Sequence, residues 1–384
     1  MQRPISRDKK LSLVARYSSY LLLLIVILSV ECKTAGSSAA APQTTAQLPK
    51  NIVLMIGDGM GLSQISAAMY SNRNELALEK FPVIGLQKTA SSSDLVTDSA
   101  ASATAISTGV KTYNGSVGMN KDSLPQPTIM EEAIERGFST GIVVTSTITH
   151  ATPGSFYAHQ PLRVMHEQIA EDFVETPINF VVAGGKKYFD RRDDEQNLIK
   201  ELLLRNYQVS SFLDVALSEV PVSVRRNFFY FTADREPLPV TQGRDYLPYA
   251  CRLATNYLSR HSNDKQEGFF LLIEGSQIDW AGHANEGELV INEILDFERA
   301  INKVFAFAKR NQETLVLVTA DHETGGFALQ SGSEMGNIQT EFTSNGHTAS
   351  MVPIFAYGPG AELFRGVYEN TEIYHKMRQA LGWE

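Results

Sequence analysis

Cysteine is nearly absent. Cys32 and Cys251 are the only two in 384 residues. Cys32 falls at the end of an N-terminal leader, so the processed chain holds Cys251 alone and no intramolecular disulfide can form in it. Export must then be tolerated without that cross-link. Cys251 sits in the helical-looking segment 249–254, which reads as a buried apolar position rather than a reactive thiol. Positive charge is also in deficit: 34 Lys and Arg stand against 43 Asp and Glu, a net charge of -9. That argues against a nucleic-acid partner. It leaves phosphorylated small molecules open, because bound metals override global charge locally. There is no internal repeat.

Beyond strand-length runs, one apolar stretch stands out, Leu21 to Val30. It is short for a spanning helix. Arg3, Arg7, Lys9, Lys10 and Arg16 precede it and small polar residues follow, which is the order of a secretory signal over residues 1–32. A retained anchor helix is the competing reading. Cys32 just after the run is a candidate lipid-attachment site of a bacterial lipoprotein, with Glu31 where a small residue is usual. The expectation is an exported, periplasmic protein, with or without a lipid anchor at Cys32. Residues 33–49, rich in Ala, Ser, Thr and Gln, read as a flexible tether. Residues 50–384 read as a single domain with insertions near 206–245 and 325–345.

Within that domain, apolar runs of strand length alternate with helical patterns. The runs are 51–56, 141–145, 180–183, 269–273, 314–319 and 352–357. Near-continuous hydrophobicity predicts strands covered on both faces, as in a mostly parallel sheet. Helical patterns lie between them, at Met130–Arg136 with Gly137 after it and at Ile291–Lys309. The expected fold is a three-layer α/β/α sandwich.

Chemistry-bearing residues fall where these runs end. Asp58 follows the first, His150 and Thr152 the second, Glu274 ends the 269–273 run and Asp321-His322 ends the 314–319 run. Open parallel sheets bind ligands outside the carboxyl ends of their strands. So many buried charges are costly unless paired or metal-bound. Asp279 and His283 lie four apart, and His347 sits in a Gly-opened turn. Carboxylate and imidazole ligands suit zinc, and the oxygen set Asp58, Thr152 and Glu274 suits magnesium. The segment 97–105 places Ser99 between Asp98 and a run of small helix formers. It is either an ordinary helix start, with Asp98 or Thr97 as N-cap, or a nucleophile held at a helix N-terminus.

At these residues the chain resembles the alkaline phosphatase family. The matching motifs are Ile56–Gly61, Thr97–Ala101, His150–Pro153, Arg163, Glu274–Asp279, His283, Thr319–Gly326 and Gly346–Thr348, in order, from Asn51 to the C-terminus. The Asp279-Trp280 pair and the compact length look most like bacterial members of the cold-adapted Antarctic type. The resemblance implies hydrolysis of phosphate monoesters through a phosphoserine intermediate on Ser99. It implies two zinc ions, one on Asp279, His283 and His347, the other on Asp58, Asp321 and His322. It implies one magnesium ion on Asp58, Thr152 and Glu274. Arg163 would clamp phosphate, Asp98 would orient Arg163, and the protein would be a homodimer.

Two positions depart from the best-studied bacterial pattern. His150 stands in place of Asp and Trp280 in place of Lys. His150 is expected to orient a water at the third site, and it makes zinc possible there, since imidazole suits zinc better than magnesium. Trp280 is expected to weaken phosphate binding and speed its release, unless it is only a packing residue beside the cleft. A sister phosphodiesterase or sulfatase is the alternative enzyme. A sulfatase motif needs Pro and Arg, which 99–103 lacks. A non-catalytic metal- or phosphate-binding lipoprotein is the alternative outside enzymes. His159, His166, His261 and His375 read as structural or surface residues.

Overall fold

The computed structural model describes residues 48–265 and 267–383. The leader and tether, with Cys32, lie outside the described residues. The strands are β1 (Asn51–Gly57), β2 (Val83–Lys88), β3 (Ser139–Thr147), β4 (Phe180–Gly184), β5 (Tyr207–Ser211), β6 (Asn227–Phe231) and β7 (Phe269–Gly275). They continue with β8 (Thr314–Thr319), β9 (Glu323–Thr324), β10 (Phe327–Leu329), β11 (Thr340–Phe342), β12 (His347–Thr348), β13 (Val352–Tyr357) and β14 (Gly366–Glu369). Ten of them form one sheet in the order β14-β2-β13-β8-β1-β7-β3-β4-β6-β5.

Every residue of β1 is buried because helices cover both faces of the sheet. Successive side chains point to opposite faces. Thus Ile52, Leu54 and Ile56 enter one core with the helices Ser99–Thr108, Ile129–Glu135, His166–Glu175 and Thr371–Leu381. Val53 and Met55 enter the other, with Leu62–Ser71, Leu247–Lys265 and Gly287–Asn311. The result is the expected three-layer sandwich. Among the described residues, no helix is long and apolar enough to cross a membrane.

Parallel register sets the functional edge. Ile56 lies opposite Glu274 on one side and Thr319 on the other, and Val144 opposite Glu274. β1, β3, β7 and β8 therefore end together. Within the ten-stranded sheet, β13 alone runs antiparallel to its neighbours, with Ile354 opposite Thr319. The chain entering it comes from that same edge, which brings residues 343–351 back over it.

All six apolar runs are strands. Four further sheet strands, β2, β5, β6 and β14, lie outside those runs. β2 alternates buried and exposed positions, Ile84 being 56% exposed, so it carries no continuous apolar signal. The stretch 206–245, read from sequence as an insertion, in fact supplies β5 and β6, the last two strands of the sheet. Tyr207-Gln208-Val209-Ser210-Ser211 is too polar to announce itself because it is an edge strand with one neighbour. The stretch 325–345 contributes β10 and β11, which pair only with each other.

Candidate active site

Ser99 is the first residue of the helix Ser99–Thr108. The Ala101 N–H donates to Asp98 Oδ1 at 2.9 Å, which caps the helix, and Gly109 ends it in the left-handed conformation. The helix is small-residued and wholly buried. Ser102 Oγ donates to the Asp321 carbonyl at 2.8 Å and ties it to the end of β8. Ser99 Oγ thereby lies 3.5 Å from Asp58 Oδ1 and 3.3 Å from His322 Nε2.

Asp58, Asp321 and His322 form the first group of potential ligands, all fully buried. The Gly59 and His322 N–H groups donate to Asp321 Oδ1 at 3.1 and 2.9 Å. Gly59 has φ +71°, and a Cβ there would stand 2.7 Å from Thr324 Oγ1 and 2.9 Å from Asp279 Cα, so the turn after β1 needs glycine. Thr324 donates its one hydroxyl proton to Asp279 Oδ1, and His322 Nδ1 lies 3.2 Å from Thr324 Oγ1. This network assigns the His322 proton to Nδ1. The Nε2 lone pair then faces Asp321 at 3.2 Å and Asp58 at 3.4 Å. Burial, and then the charges of Asp321, Asp279 and Glu274, push the Asp58 carboxyl well above the usual carboxylate range.

Asp279, His283 and His347 form the second group. Asp279 and His283 share one face of the helix Gln277–His283. His347 arrives on β12, which pairs with β9. His283 Nδ1 donates to the Asn345 carbonyl at 2.6 Å and His347 Nδ1 to the Thr97 carbonyl at 2.8 Å. Their Nε2 atoms meet 3.0 Å apart, with Asp279 oxygens 3.3 Å from one and 3.5 Å from the other. Two lone pairs cannot face each other at that distance. A cation must lie between them: either a proton on His283, which its hydrogen bond to Asp279 pushes up to about 9, or a metal ion. Burial raises the Asp279 carboxyl, but His283, His322 and His347 outweigh it and hold it well below the usual range.

The third group is Asp58, His150 and Glu274. Ser276 and Ser146 donate to Glu274 Oε2 at 2.6 and 3.3 Å. Burial, opposed by Ser276, pushes the Glu274 carboxyl up to about 7. Burial and the Arg163 charge bring His150 down to about 3, so its ring is neutral. His150, expected from sequence to act through a water, offers a ring nitrogen to this group directly. Its ring also meets Trp280 edge-on at 5.8 Å.

Five polar atoms around these groups are buried without a hydrogen-bond partner: Asp58 Oδ2, Asp321 Oδ2, Glu274 Oε1, Thr152 Oγ1 and His150 Nδ1. The three carboxylate oxygens are pure acceptors once ionised. Orphaned acceptors at one buried edge are what a set of cations would satisfy, and the nitrogen-plus-carboxylate donors suit zinc.

Arg163 reaches the site from a loop. Its Nη1 donates to Asp98 Oδ2 at 3.1 Å and its Nη2 lies 3.4 Å from His150 Nε2. All thirteen residues singled out from sequence lie along the edge where β1, β3, β7 and β8 end. Thr324, Ser146 and Ser276, which hold the acidic and histidine side chains, were not singled out. Thr324 falls inside the Thr319–Gly326 motif and Ser276 inside the Glu274–Asp279 motif; nothing in the spacing of Ser146 marks it.

Comparison with known proteins agrees with this geometry. The alkaline phosphatase family model matches residues 49–341 and 335–383. Alkaline phosphatase 3 of Bacillus subtilis is 32% identical, the match covering 94% of this chain and 96% of that one. The solved structure of alkaline phosphatase from the Antarctic bacterium TAB5 superimposes with a TM-score of 0.83 at 42% identity, covering 88% of this chain and 99% of that one. A variant of that enzyme with one histidine replaced by aspartate, solved with magnesium bound in its M3 site, matches with a TM-score of 0.82 at 41% identity over the same shares.

Proposed function

The chain belongs to the alkaline phosphatase family and is an alkaline phosphatase, and from that premise we propose that Ser99 is its nucleophile and that three metal ions complete the site. Asp279, His283 and His347 hold one zinc, and Asp58, Asp321 and His322 the other. Asp58, Thr152 and Glu274 hold magnesium, with His150 close enough to admit zinc there instead. The observation that carries the reading is the placement of Ser99 Oγ 3.3 Å from His322 Nε2 and 3.5 Å from Asp58 Oδ1, among buried acceptors that lack partners.

When bound, the metal pair would stabilise the attacking and leaving oxygens of an in-line displacement at phosphorus. The chain's own groups do the rest. Ser99 Oγ forms a bond to phosphorus as the ester P–O bond breaks, and the alcohol departs from the opposite face. Water then cleaves the Ser99 Oγ–P bond, releasing inorganic phosphate and restoring the hydroxyl. Arg163 presents its planar fork of donors to two non-bridging oxygens, and Asp98 holds that fork in place. The N-terminal amides of the helix behind Ser99 favour the same negative charge. Dianionic monoesters match this concentration of positive groups better than diesters. We further propose that the protein is exported to the periplasm and works as a homodimer.

The test is turnover of a chromogenic phosphate monoester against the matching diester and sulfate at pH 7 to 10. It uses wild type and Ser99→Ala, loaded with zinc and magnesium or chelated. Dominant monoester turnover that vanishes on chelation and in Ser99→Ala is expected. Preference for diester or sulfate would move the chain to a sister activity, and metal binding without turnover would leave a capture protein.

A further inference from the structure

Four residues before Arg163, the His159 ring is held at both nitrogens by groups that can only accept. Nδ1 lies 2.7 Å from the Gly118 carbonyl and Nε2 lies 2.9 Å from Glu131 Oε1. A neutral imidazole donates through one nitrogen only, and the other would turn a lone pair toward an oxygen lone pair. Both contacts are satisfied together only by an imidazolium. The approach of the carbonyl is built in: Gly118 has φ +61°, and a Cβ there would stand 2.9 Å from His159 Nδ1 and 2.0 Å from the Ala158 carbonyl. Glu131 is itself fixed, its other oxygen accepting from the Thr128 N–H at 2.8 Å in a capping box.

The segment carrying this ring is the arm that carries Arg163. Val117 and Gln160 exchange two backbone hydrogen bonds at 3.0 Å, and the Arg163 N–H donates to the Gly115 carbonyl at 2.7 Å. The His159 N–H and the Gln160 side chain both donate to Asp172 Oδ2, at 2.9 and 2.8 Å. The arm is thus pinned to the loop 115–118, to the helix Ile129–Glu135 through Glu131, and to the helix His166–Glu175 through Asp172. The next anchor along it is Arg163 on Asp98.

We propose that His159, as an imidazolium, is a positioning residue for Arg163, and that its charged tie to Glu131 and Gly118 sets the affinity for phosphate. The inference rests on Arg163 being the phosphate clamp. The charged groups facing the ring are Glu131 from one helix and Asp172 from the other, while the loop 115–118 presents a carbonyl. Both acids favour the charged ring and, with the Gly118 carbonyl, raise its pKa against the opposing effect of burial. A raised pKa means that the tie is intact at low pH and is lost as pH rises through the folded value. Phosphate affinity should therefore carry an alkaline decline that belongs to His159.

The test measures the inhibition constant of inorganic phosphate, with KM and kcat, on the metal-loaded enzyme. The variants are His159→Gln, Arg163→Ala and the double substitution. Loss of a charge-assisted tie should raise the phosphate constant of His159→Gln about tenfold over wild type. In the Arg163→Ala background the same change should have little further effect, because coupled residues are non-additive. An equal rise in both backgrounds, or none in either, overturns the proposal while leaving the clamp intact. An unchanged constant in Arg163→Ala alone overturns the clamp and the proposal with it. Glu131→Gln keeps the ring and the fold and removes the anion. It should move the alkaline decline in phosphate affinity to lower pH, and a decline that stays in place refutes the imidazolium role.

Discussion

Removal of the metals should make stability depend on pH in a way the loaded protein's does not. Four groups of the site set the form. His150 is brought from 6.5 to about 3, so the unfolded chain binds a proton between those values that the folded chain refuses, and stability rises with pH across that window. The difference is worth about 5 kcal/mol at 1.36 kcal/mol per unit. Glu274 is pushed from 4.5 to about 7. Here the folded chain holds the extra proton, and stability falls by about 3 kcal/mol as pH rises from 4.5 to 7. Between 4.5 and 6.5 the two nearly cancel. Asp58, raised well above its ordinary value, adds to the fall from the usual carboxylate range upward. Above 6.5 His150 has no more to give, whereas His283, pushed up to about 9, still loses a proton that the folded state prefers to hold. His283 is 41% exposed on its side chain, so solvent screens most of its share. Chelated protein should therefore lose stability as pH rises from about 4.5 toward 9. In loaded protein the carboxylates are already ionised and the imidazoles already neutral, so the gap between the two forms should widen with pH. Denaturant melts of both forms from pH 5 to 9 read it directly. A gap that stays constant or narrows above pH 6.5 would refute the argument that these acids are held protonated for want of a cation.

Asp98 uses one oxygen to cap the Ser99 helix and the other to hold Arg163. Asp98→Ala should cost about 1 kcal/mol of stability through the lost cap, and Asp98→Ser, which can still cap, should cost less. Equal melting temperatures for the two would show that the cap contributes nothing. Thr324→Val removes the hydroxyl that links Asp279 to His322; outer hydrogen bonds of this kind are worth about tenfold or more in metal affinity. Competition with a chelator should show that loss while the circular-dichroism spectrum is unchanged. Trp280→Lys places a cation beside His150 and the Arg163 fork and should tighten product inhibition by phosphate. Unchanged inhibition would assign Trp280 to packing alone.

The layered fold was legible because its central strands are sealed on both faces. β1, β7 and β8 are apolar along their length, and no other local structure explains such runs followed at once by Asp58, Glu274 and Asp321. The flanks were not legible for the converse reason. β5 has one neighbour and polar side chains, and β2 shows every second residue to solvent. At the site, the groups that bear charge could be found by their position after strands. The groups that aim them could not. Ser146, Ser276 and Thr324 are hydroxyls, as common in turns as in active sites, and only proximity in space gives them meaning. His159 shows the same limit: a histidine read as structural or surface becomes informative once both of its nitrogens are seen against acceptors.

Asp58 belongs to two of the three groups of potential ligands, and this sharing makes their occupancy interdependent. A cation drawn to Asp58 with Asp321 and His322 takes part of the negative charge that would hold another with His150 and Glu274. It also fixes which oxygen Asp58 has left to offer, since the fully buried carboxylate has no free rotation into water. Ser99 stands beside the same carboxylate at 3.5 Å. Exchange of the ion in the third group should therefore be felt at the nucleophile through Asp58, without any contact between that ion and substrate. Replacing His150 by Asp adds a negative ligand to that group and offsets the shared charge. The third ion should then bind more tightly with less dependence on pH, because the neutral imidazole it replaces competes with protons and the new carboxylate does so only in acid. Titration of chelated His150→Asp with magnesium at pH 6 and 8 measures this, and an affinity no higher than that of wild type at both pH values would refute it.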